Sequence, residues 1–281
     1  MTPMTRLGPA APPAPATATT RVLNRVPAVT ALFWVVKVLT TGMGETTSDY
    51  LVKRFPPEIV VPLALVALVA VLALQLRLRR YVAAVYWSAA LMVSIFGTMA
   101  ADVLHVGLGV PYVASTVAFA VVLAAIFVAW WRTEHTLSVH AITTRRREWF
   151  YWATVLTTFA LGTAAGDWTA VTLHLGYLAS GVLFAVAIAV PAIAHKGFGV
   201  NAILAFWVAY VLTRPLGASF ADWLGVGPER GGVGVGTGPV SLAAFAVFVA
   251  LVTWLSVRRR DLERAPGAAL VQDVRPRPRT R

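Results

Sequence analysis

The chain contains no cysteine, which excludes disulfides, thiolate metal sites and thiol nucleophiles. Charged residues are also scarce: they make up 13% of the sequence, about half the share usual in soluble proteins, whereas 58% of the residues are hydrophobic. The ranges 106–131, 168–194 and 231–257 contain no Asp, Glu, Lys or Arg. Each is long enough for a helix to cross a hydrocarbon layer of about 30 Å, and open strands cannot span lipid. The sequence therefore predicts an all-α, polytopic membrane protein.

The net charge of +12 is carried mainly by tails and short loops, with eight Arg in residues 258–281 and three in residues 77–80. This distribution is typical of the positive-inside rule, so the expected partner is the lipid bilayer and no nucleic-acid partner is expected. The sequence has no Ser-His-Asp or HExxH pattern, and its Gly-rich segment 227–239 lacks the Lys-Ser/Thr of a phosphate-binding loop. We therefore do not expect an enzyme, and the sequence identifies no cofactor.

One motif occurs four times: an aromatic-Trp pair, a Gly ten residues after the Trp, and an Asp five residues after the Gly. The repeat Trp are Trp34, Trp87, Trp152 and Trp207; the repeat Gly are Gly44, Gly97, Gly162 and Gly217; the repeat Asp are Asp49, Asp102, Asp167 and Asp222. Four coincidences at one offset indicate tandem copies of a single unit. Each copy therefore contributes one carboxylate.

Each repeat is interpreted as two helices, the first running from the Trp towards the Asp and the second coinciding with the apolar run that follows. The eight predicted spans are approximately 29–51, 58–78, 82–105, 111–132, 149–169, 174–194, 199–223 and 238–257. The repeats are approximately 29–78, 82–132, 149–194 and 199–257, within a membrane domain of residues 27–257. Composition predicts disordered tails at 1–26 and 258–281.

Lys and Arg are unevenly divided between the two sides of the predicted bundle: 19 lie on the side of the termini, three on the other side and two within spans. The positive-inside rule therefore predicts that both termini are cytoplasmic. The repeat Asp then face the outer side. The repeat Trp lie about 22 Å away, near the inner interface, where Trp usually anchors a helix to the membrane surface.

The odd-numbered spans carry every intramembrane charge, whereas the even-numbered spans are nearly all Val, Ala, Leu, Ile and Phe. We therefore expect the odd-numbered helices to line a polar interior and the even-numbered helices to face lipid. Because each repeat adds two spans, the repeats are expected to run in the same direction about an axis along the membrane normal. The repeat Gly would permit close helix approach or an interruption of the helix.

The first span is the most informative, because Glu45 and Asp49 are four residues apart and share one helix face. Glu45 lies about 16 Å from Trp34, near mid-membrane, where an acid costs about 2.5–3.5 kcal/mol on insertion scales. Arg214 in the seventh span offers it a partner. The next residue, Pro215, is expected to kink or break that helix.

These positions predict a polar cavity that is open to the outer side and binds a cation or carries protons. Its candidate binding residues are Glu45, Asp49, Asp102, Asp167 and Asp222, with Lys37 and Arg214 balancing their charge. A structural reading remains open, in which Glu45 and Arg214, and Lys37 with a neighbouring acid, are buried pairs that fix helix register. The Asp residues could equally cap the next segment or face water.

Histidine gives a weaker signal. Asp102-x-x-His105 can place two metal ligands on one helix face, but the pair alone has low specificity. His105 and His174 are therefore expected in the outer interface region. His135, His140 and His195 lie in basic loops, where solvation is expected.

The segments KVLTTGMGETTSDYL, FALGTAAGDW and YVLTRPLGASFADWL resemble a family of bacterial integral membrane proteins with four tandem repeats of unknown function, often described as uncharacterised membrane-anchored proteins. The resemblance covers approximately residues 29–257. It implies a bacterial cytoplasmic-membrane location, with two transmembrane segments per repeat, and it implies no substrate.

Function must therefore be inferred from the charges, and the favoured hypothesis is a small-cation or proton-coupled transporter. The alternative is a non-transporting scaffold or sensor whose Arg-rich tail binds anionic lipid or a cytoplasmic partner. An intramembrane enzyme acting on a lipid or quinone ranks last, because no nucleophile-base pair is present.

Overall fold

The computed structural model describes residues 24–258, which fold into eight α-helices and contain no strand. The helices are α1 (Ala31–Arg54), α2 (Pro57–Arg77), α3 (Ala83–Asp102), α4 (Tyr112–Glu134), α5 (Arg145–Asp167), α6 (Gly176–Phe198), α7 (Ala202–Gly225) and α8 (Thr237–Arg258). Thr30 and Thr144 begin α1 and α5 by accepting hydrogen bonds from the backbone N–H groups of Phe33 and Arg147. The predicted all-helical class is confirmed.

The two predicted tails lie almost entirely outside the described residues. The predicted boundary at residue 26 is wrong, because the residues just before it already belong to the fold. Asn24 Nδ2 donates to the backbone oxygen of Val139 at 3.2 Å, and Val26 is buried. The N-terminal segment is therefore packed against the α4–α5 loop from residue 24 onward.

Six helices, α2, α3, α4, α6, α7 and α8, are long and apolar enough to cross a membrane. This makes the chain a multi-pass helical membrane protein. The even-numbered helices expose large apolar side chains along their length, for example Leu63, Val121, Val186 and Leu242. Helices α1 and α5 are more polar than the other six, and the Thr and Ser side chains of their central turns are mostly buried.

The odd-numbered helices form a closed ring. Helix α1 packs against α3, α3 against α5, α5 against α7, and α7 against α1. Each even-numbered helix covers the outside of the next inner helix: α2 on α3, α4 on α5, α6 on α7 and α8 on α1. The predicted division into a polar inner set and an apolar outer set is present.

The repeat Gly are the contact points of this ring. A Cβ at each repeat Gly would overlap the residue that stands three positions before the next repeat Gly: Ser94 for Gly44, Phe159 for Gly97, Arg214 for Gly162 and Thr41 for Gly217. The fourth contact returns to the first repeat. Close helix approach, one of the two predicted roles of the repeat Gly, is therefore the role that the fold uses.

One local expectation is wrong, and half of another is wrong. Trp87, Trp152 and Trp207 are buried between helices, so they are packing residues rather than anchors at a membrane surface; Trp34 is half-buried. Helix α7 continues through Pro215, so the predicted break is absent, and the alternative of a kink stays a prediction. The proline ring packs against glycines of α5, since a Cβ added at Gly162 or Gly166 would lie 3.0 or 3.7 Å from Pro215.

Candidate functional site

Carboxylates from all four repeats line one cavity at the C-terminal ends of the inner helices. The cavity has a volume of about 460 Å³. Its acidic lining residues are Glu45, Asp49, Asp102, Asp167 and Asp222. Its cationic lining residues are Lys53 and Arg230. All five acids singled out from the sequence therefore meet in one chamber, where acidic residues outnumber cationic ones.

The repeat Asp differ in their partners. Asp49 pairs with Lys53 one helical turn later. Within residues 24–258, Asp102, Asp167 and Asp222 have no hydrogen-bond or ion-pair partner, although Asp222 is only 8% exposed. All three interact electrostatically with the charge of Asp49. Neighbouring carboxylates in such a place require a cation or a proton to offset their repulsion.

A second feature is shared by the ends of α3 and α5. After Asp102 and Asp167 these helices continue as wider π-helical turns, over Val103–Gly107 and Trp168–Thr172. Neither Asp side chain caps the turn that follows it, so the capping role left open by the sequence is not what these two residues do. Single π-helical turns are frequent at functional sites, because they redirect side chains.

The π-helical turn of α3 carries His105, which is buried rather than placed in an exposed interface region. Its Nε2 lies 2.6 Å from Ser115 Oγ at the start of α4. One ligand atom from each of Asp102, His105 and Asp167 lies within 4.8 Å of the others. His174, the other His considered from the sequence, is exposed. Of the two, only His105 belongs to the cavity region.

Arg214 is buried behind Glu45, which lines the cavity, and it contacts each of the other three inner helices. It donates to Glu45, to Thr98, to Thr163 Oγ1 at 2.7 Å and to the backbone oxygen of Thr41 at 3.1 Å. Glu45, Thr98 and Thr163 each follow a repeat Gly, so they occupy equivalent positions in three repeats. The predicted Glu45–Arg214 pair is therefore present, within a wider hydrogen-bonded centre.

Lys37 does not pair with an acid. Its Nζ lies 3.9 Å from the ring centroid of Phe159 and 4.2 Å from that of Tyr210, and the described residues provide it with no hydrogen-bond partner. Cation–π contact partly replaces the lost hydration of the ammonium group. The sequence-based option of a buried Lys37–acid pair is therefore wrong.

The rim of the cavity contains residues that the sequence did not single out. Arg230, in the α7–α8 loop, donates to Tyr177 Oη at 2.6 Å. Partial burial acts to lower the pKa of Arg230, but the Tyr177 contact and the charges of Asp222 and Asp49 raise it above its usual value. Arg230 therefore remains a fixed cation beside the acids. A single Arg in a Gly-rich loop carries no sequence signal for this position.

Aromatic side chains fill the ring on the other side of Arg214. The hydroxyl groups of Tyr86 and Tyr151 are hydrogen-bonded to each other, and both rings are buried. The ring centroid of Phe33 lies 6.2 Å from that of Phe206 and 6.4 Å from that of Tyr210. The cavity is therefore separated from the Trp end of the bundle by close-packed rings.

A further buried ion pair lies at the Trp end and was not predicted. Glu148 is fully buried, and its carboxylate accepts hydrogen bonds from Arg25 at 2.6 Å and from Gln75 Nε2 at 2.9 Å. Because Glu148 follows three consecutive Arg, it reads in the sequence as part of a solvated charge run. The contact ties the segment before α1 to α2 and α5.

Comparison with known proteins yields one match. The family described as Repeat of Unknown Function (DUF347) matches the chain four times, over residues 32–81, 85–136, 150–198 and 205–261. Each match begins near a repeat Trp and includes one inner and one outer helix. No curated protein and no solved structure matches the chain significantly.

Proposed function

The chain belongs to the family of the Repeat of Unknown Function (DUF347), and from its acidic cavity we propose that it transports a small cation, with or without coupling to protons. The family supplies no substrate, and no relative supports an activity. The proposal therefore rests on one observation: five carboxylates and two cations line a single cavity whose floor is a buried ion pair.

The proposal includes a topology. All eight helices cross the bacterial cytoplasmic membrane, and the four repeats run in the same direction, so that the four Asp lie at one end of the ring. The excess of Lys and Arg on the opposite side supports cytoplasmic termini and a cavity that faces outward. The equivalent position of the four repeat Gly contacts supports the common direction.

The charge of the cavity favours cations over anions. With the side chains ionised, its acids outnumber Lys53 and Arg230, and the low-dielectric walls of a membrane protein strengthen the resulting field. A negative cleft of this kind raises the local cation concentration. It also repels anionic substrates, which makes a transported anion a poor alternative.

Glu45 is the residue through which binding would affect the ring. It lines the cavity, and its Oε2 also accepts hydrogen bonds from Arg214 and Thr98. A cation or proton that reaches Glu45 competes with Arg214 for the same carboxylate. Release of Arg214 would alter its contacts with α1, α3 and α5 together, which is the type of two-state element that alternating access requires.

The test is flux into liposomes that contain the purified full-length chain, measured separately for protons and for mono- and divalent cations. Glu45→Gln removes the negative charge for which the cation and Arg214 compete and keeps the side-chain shape, so we expect it to reduce the flux at least tenfold. Glu58→Gln is the matched control, because Glu58 is an exposed acid at the start of α2 outside the cavity lining. It should leave the flux unchanged.

Two results would reject the proposal. The first is wild-type protein that moves neither protons nor any cation under an imposed gradient. The second is Glu45→Gln protein with the same flux as wild type. Either result would favour the scaffold or sensor hypothesis, in which truncation of residues 258–281 removes the biological effect and neutralisation of Glu45 does not.

A further inference from the structure

We propose that Asp102, His105 and Asp167 bind one divalent first-row transition-metal ion, such as Mn²⁺ or Zn²⁺. The three side chains come from two inner helices, and their ligand atoms lie within 4.8 Å of one another. The proposal deepens the proposed transport function by naming the class of cation. Binding itself requires no transport, so the two can fail separately.

The hydrogen bonds of Ser115 assign the tautomer of His105. Ser115 Oγ donates to the backbone oxygen of Tyr112 at 3.0 Å, which uses its single proton. As part of the proposal we assign its contact with His105 Nε2, at 2.6 Å, as a bond that the hydroxyl accepts from Nε2–H. The remaining nitrogen, Nδ1, is left unprotonated with a free lone pair, which is the form that binds a metal.

His105 Nδ1 is the observation that points to a ligand. The residue is 8% exposed, and Nδ1 has no hydrogen-bond partner among the described residues. A buried acceptor without a partner is unfavourable, so a ligand or ion that completes it stabilises the site. The bond to Ser115 fixes the ring in the way that outer partners orient metal-binding His.

The donor set selects the metal. Two carboxylates and one imidazole form a mixed oxygen-nitrogen set, which suits Mn²⁺, Fe²⁺ or Zn²⁺ better than Mg²⁺ or Ca²⁺, whose usual ligands are all oxygen. The chain has no Cys, so a thiolate site for soft ions is excluded. Three protein ligands leave further positions for water, and an ion held this way can exchange.

We expect one such site in each chain, because only one of the four copies carries a histidine at the position of His105. The residue equivalent to His105, eighteen positions after the repeat Trp, is Val52 in the first copy, Ala170 in the third and Gly225 in the fourth. None of these can supply a ligand side chain. The pair of copies two and three is therefore the only neighbouring pair that combines its two repeat Asp with an imidazole at this position.

The binding test uses metal-stripped full-length protein in lipid nanodiscs, titrated with Co²⁺ as a spectroscopic probe and with Mn²⁺ and Zn²⁺ as competitors. We expect one ion per chain. His105→Ala should weaken binding at least tenfold and remove the nitrogen contribution to the Co²⁺ spectrum. Ser115→Ala should also weaken binding, by about 10–100-fold, since it removes the bond that orients the ring. His174→Ala, at an exposed His, is the control and should bind as wild type.

The proposal is overturned if His105→Ala and Ser115→Ala both bind Co²⁺ as the wild type does, or if Mg²⁺ displaces Co²⁺ at equal concentration. Absence of binding to wild-type protein also overturns it. Liposome flux separates the two proposals. Metal binding without any flux leaves the site and rejects transport, whereas proton flux without metal binding rejects the site and leaves transport.

Discussion

The same four helices form two halves of the inner ring, and the two halves differ in how their polar side chains are surrounded. The Trp half runs from each repeat Trp to the repeat Gly, and the Asp half runs from the repeat Gly to the repeat Asp. In the Trp half, aromatic rings fill the space up to the Arg214 centre. In the Asp half, carboxylates face a cavity of about 460 Å³.

The difference follows from how the copies have diverged. Around the ring centre, equivalent positions carry unlike residues. The position after the repeat Gly holds an acid at Glu45 and hydroxyl groups at Thr98 and Thr163. The position three residues before the repeat Gly holds a cation only in the fourth copy, at Arg214, which bonds to all three. Unlike groups can satisfy one another. At the repeat Asp, all four copies carry the same acid, and identical charges cannot. Within the described residues, Asp49 alone among the repeat Asp has an ion-pair partner, Lys53, and under the proposed function a cation or protons offset the charge of the other three.

The largest expected effect on stability comes from removing the cation at the ring centre. Arg214→Gln leaves the Glu45 carboxylate buried without its charged partner, so we expect a loss of about 3–5 kcal/mol in the free energy of unfolding. Reversible unfolding of purified protein in detergent measures the effect. The double variant Glu45→Gln/Arg214→Gln should recover part of the loss, because it removes both charges. A double variant no more stable than Arg214→Gln would contradict the pairing.

A smaller effect is expected where the two halves meet. Gly44→Ala places a Cβ against Ser94 of the neighbouring helix, and such overpacking costs about 1–3 kcal/mol. Gly197→Ala is the matched control, since Gly197 is also helical and no atom lies within 4 Å of its added Cβ. The control should be neutral or stabilising, by up to about 1 kcal/mol, through helix propensity. The measurement is thermal unfolding of the two variants under the same conditions. Equal melting temperatures would contradict the close contact between Gly44 and Ser94.

The smallest expected effect is a gain in stability, and it concerns the like charges of the Asp half. Asp222→Asn removes one of several like charges around the cavity, so without a bound cation we expect a gain of about 1 kcal/mol. Asp49→Asn should give no gain, because Asp49 already has Lys53. Denaturant unfolding of the metal-stripped proteins measures both. A destabilised Asp222→Asn would show that the carboxylate is satisfied within the protein.

The repeat motif predicted much of this arrangement, and the reasons are physical. One polar helix and one apolar helix in each copy predict an inner and an outer set, and equal spacing from Trp to Asp predicts that the acids meet at one level. Contacts between side chains of different repeats were harder to predict. Lys37 rests on the rings of Phe159 and Tyr210, which occupy positions in other copies where the motif specifies no residue type.

The cluster that we propose as a metal site could be predicted only in part. Asp102-x-x-His105 was visible in the sequence, whereas the third ligand, Asp167, depends on the rotation of α5 relative to α3. The π-helical turn that carries His105 changes the direction of the side chain, and neither composition nor helical periodicity predicts such a turn. The burial of Glu148 was likewise hidden, because its partner Arg25 comes from a segment that reads as tail.

The return of the fourth repeat to the first, through Gly217 and Thr41, sets this architecture apart from open solenoids. A solenoid has two terminal units with an uncovered face, and it needs specialised caps to remain soluble. Here every unit is already flanked on both sides, and α8 covers α1 as α2 covers α3. No repeat is terminal in the packing of the ring. A circular permutant that starts at α3 and ends at α2 would therefore retain each contact between neighbouring units.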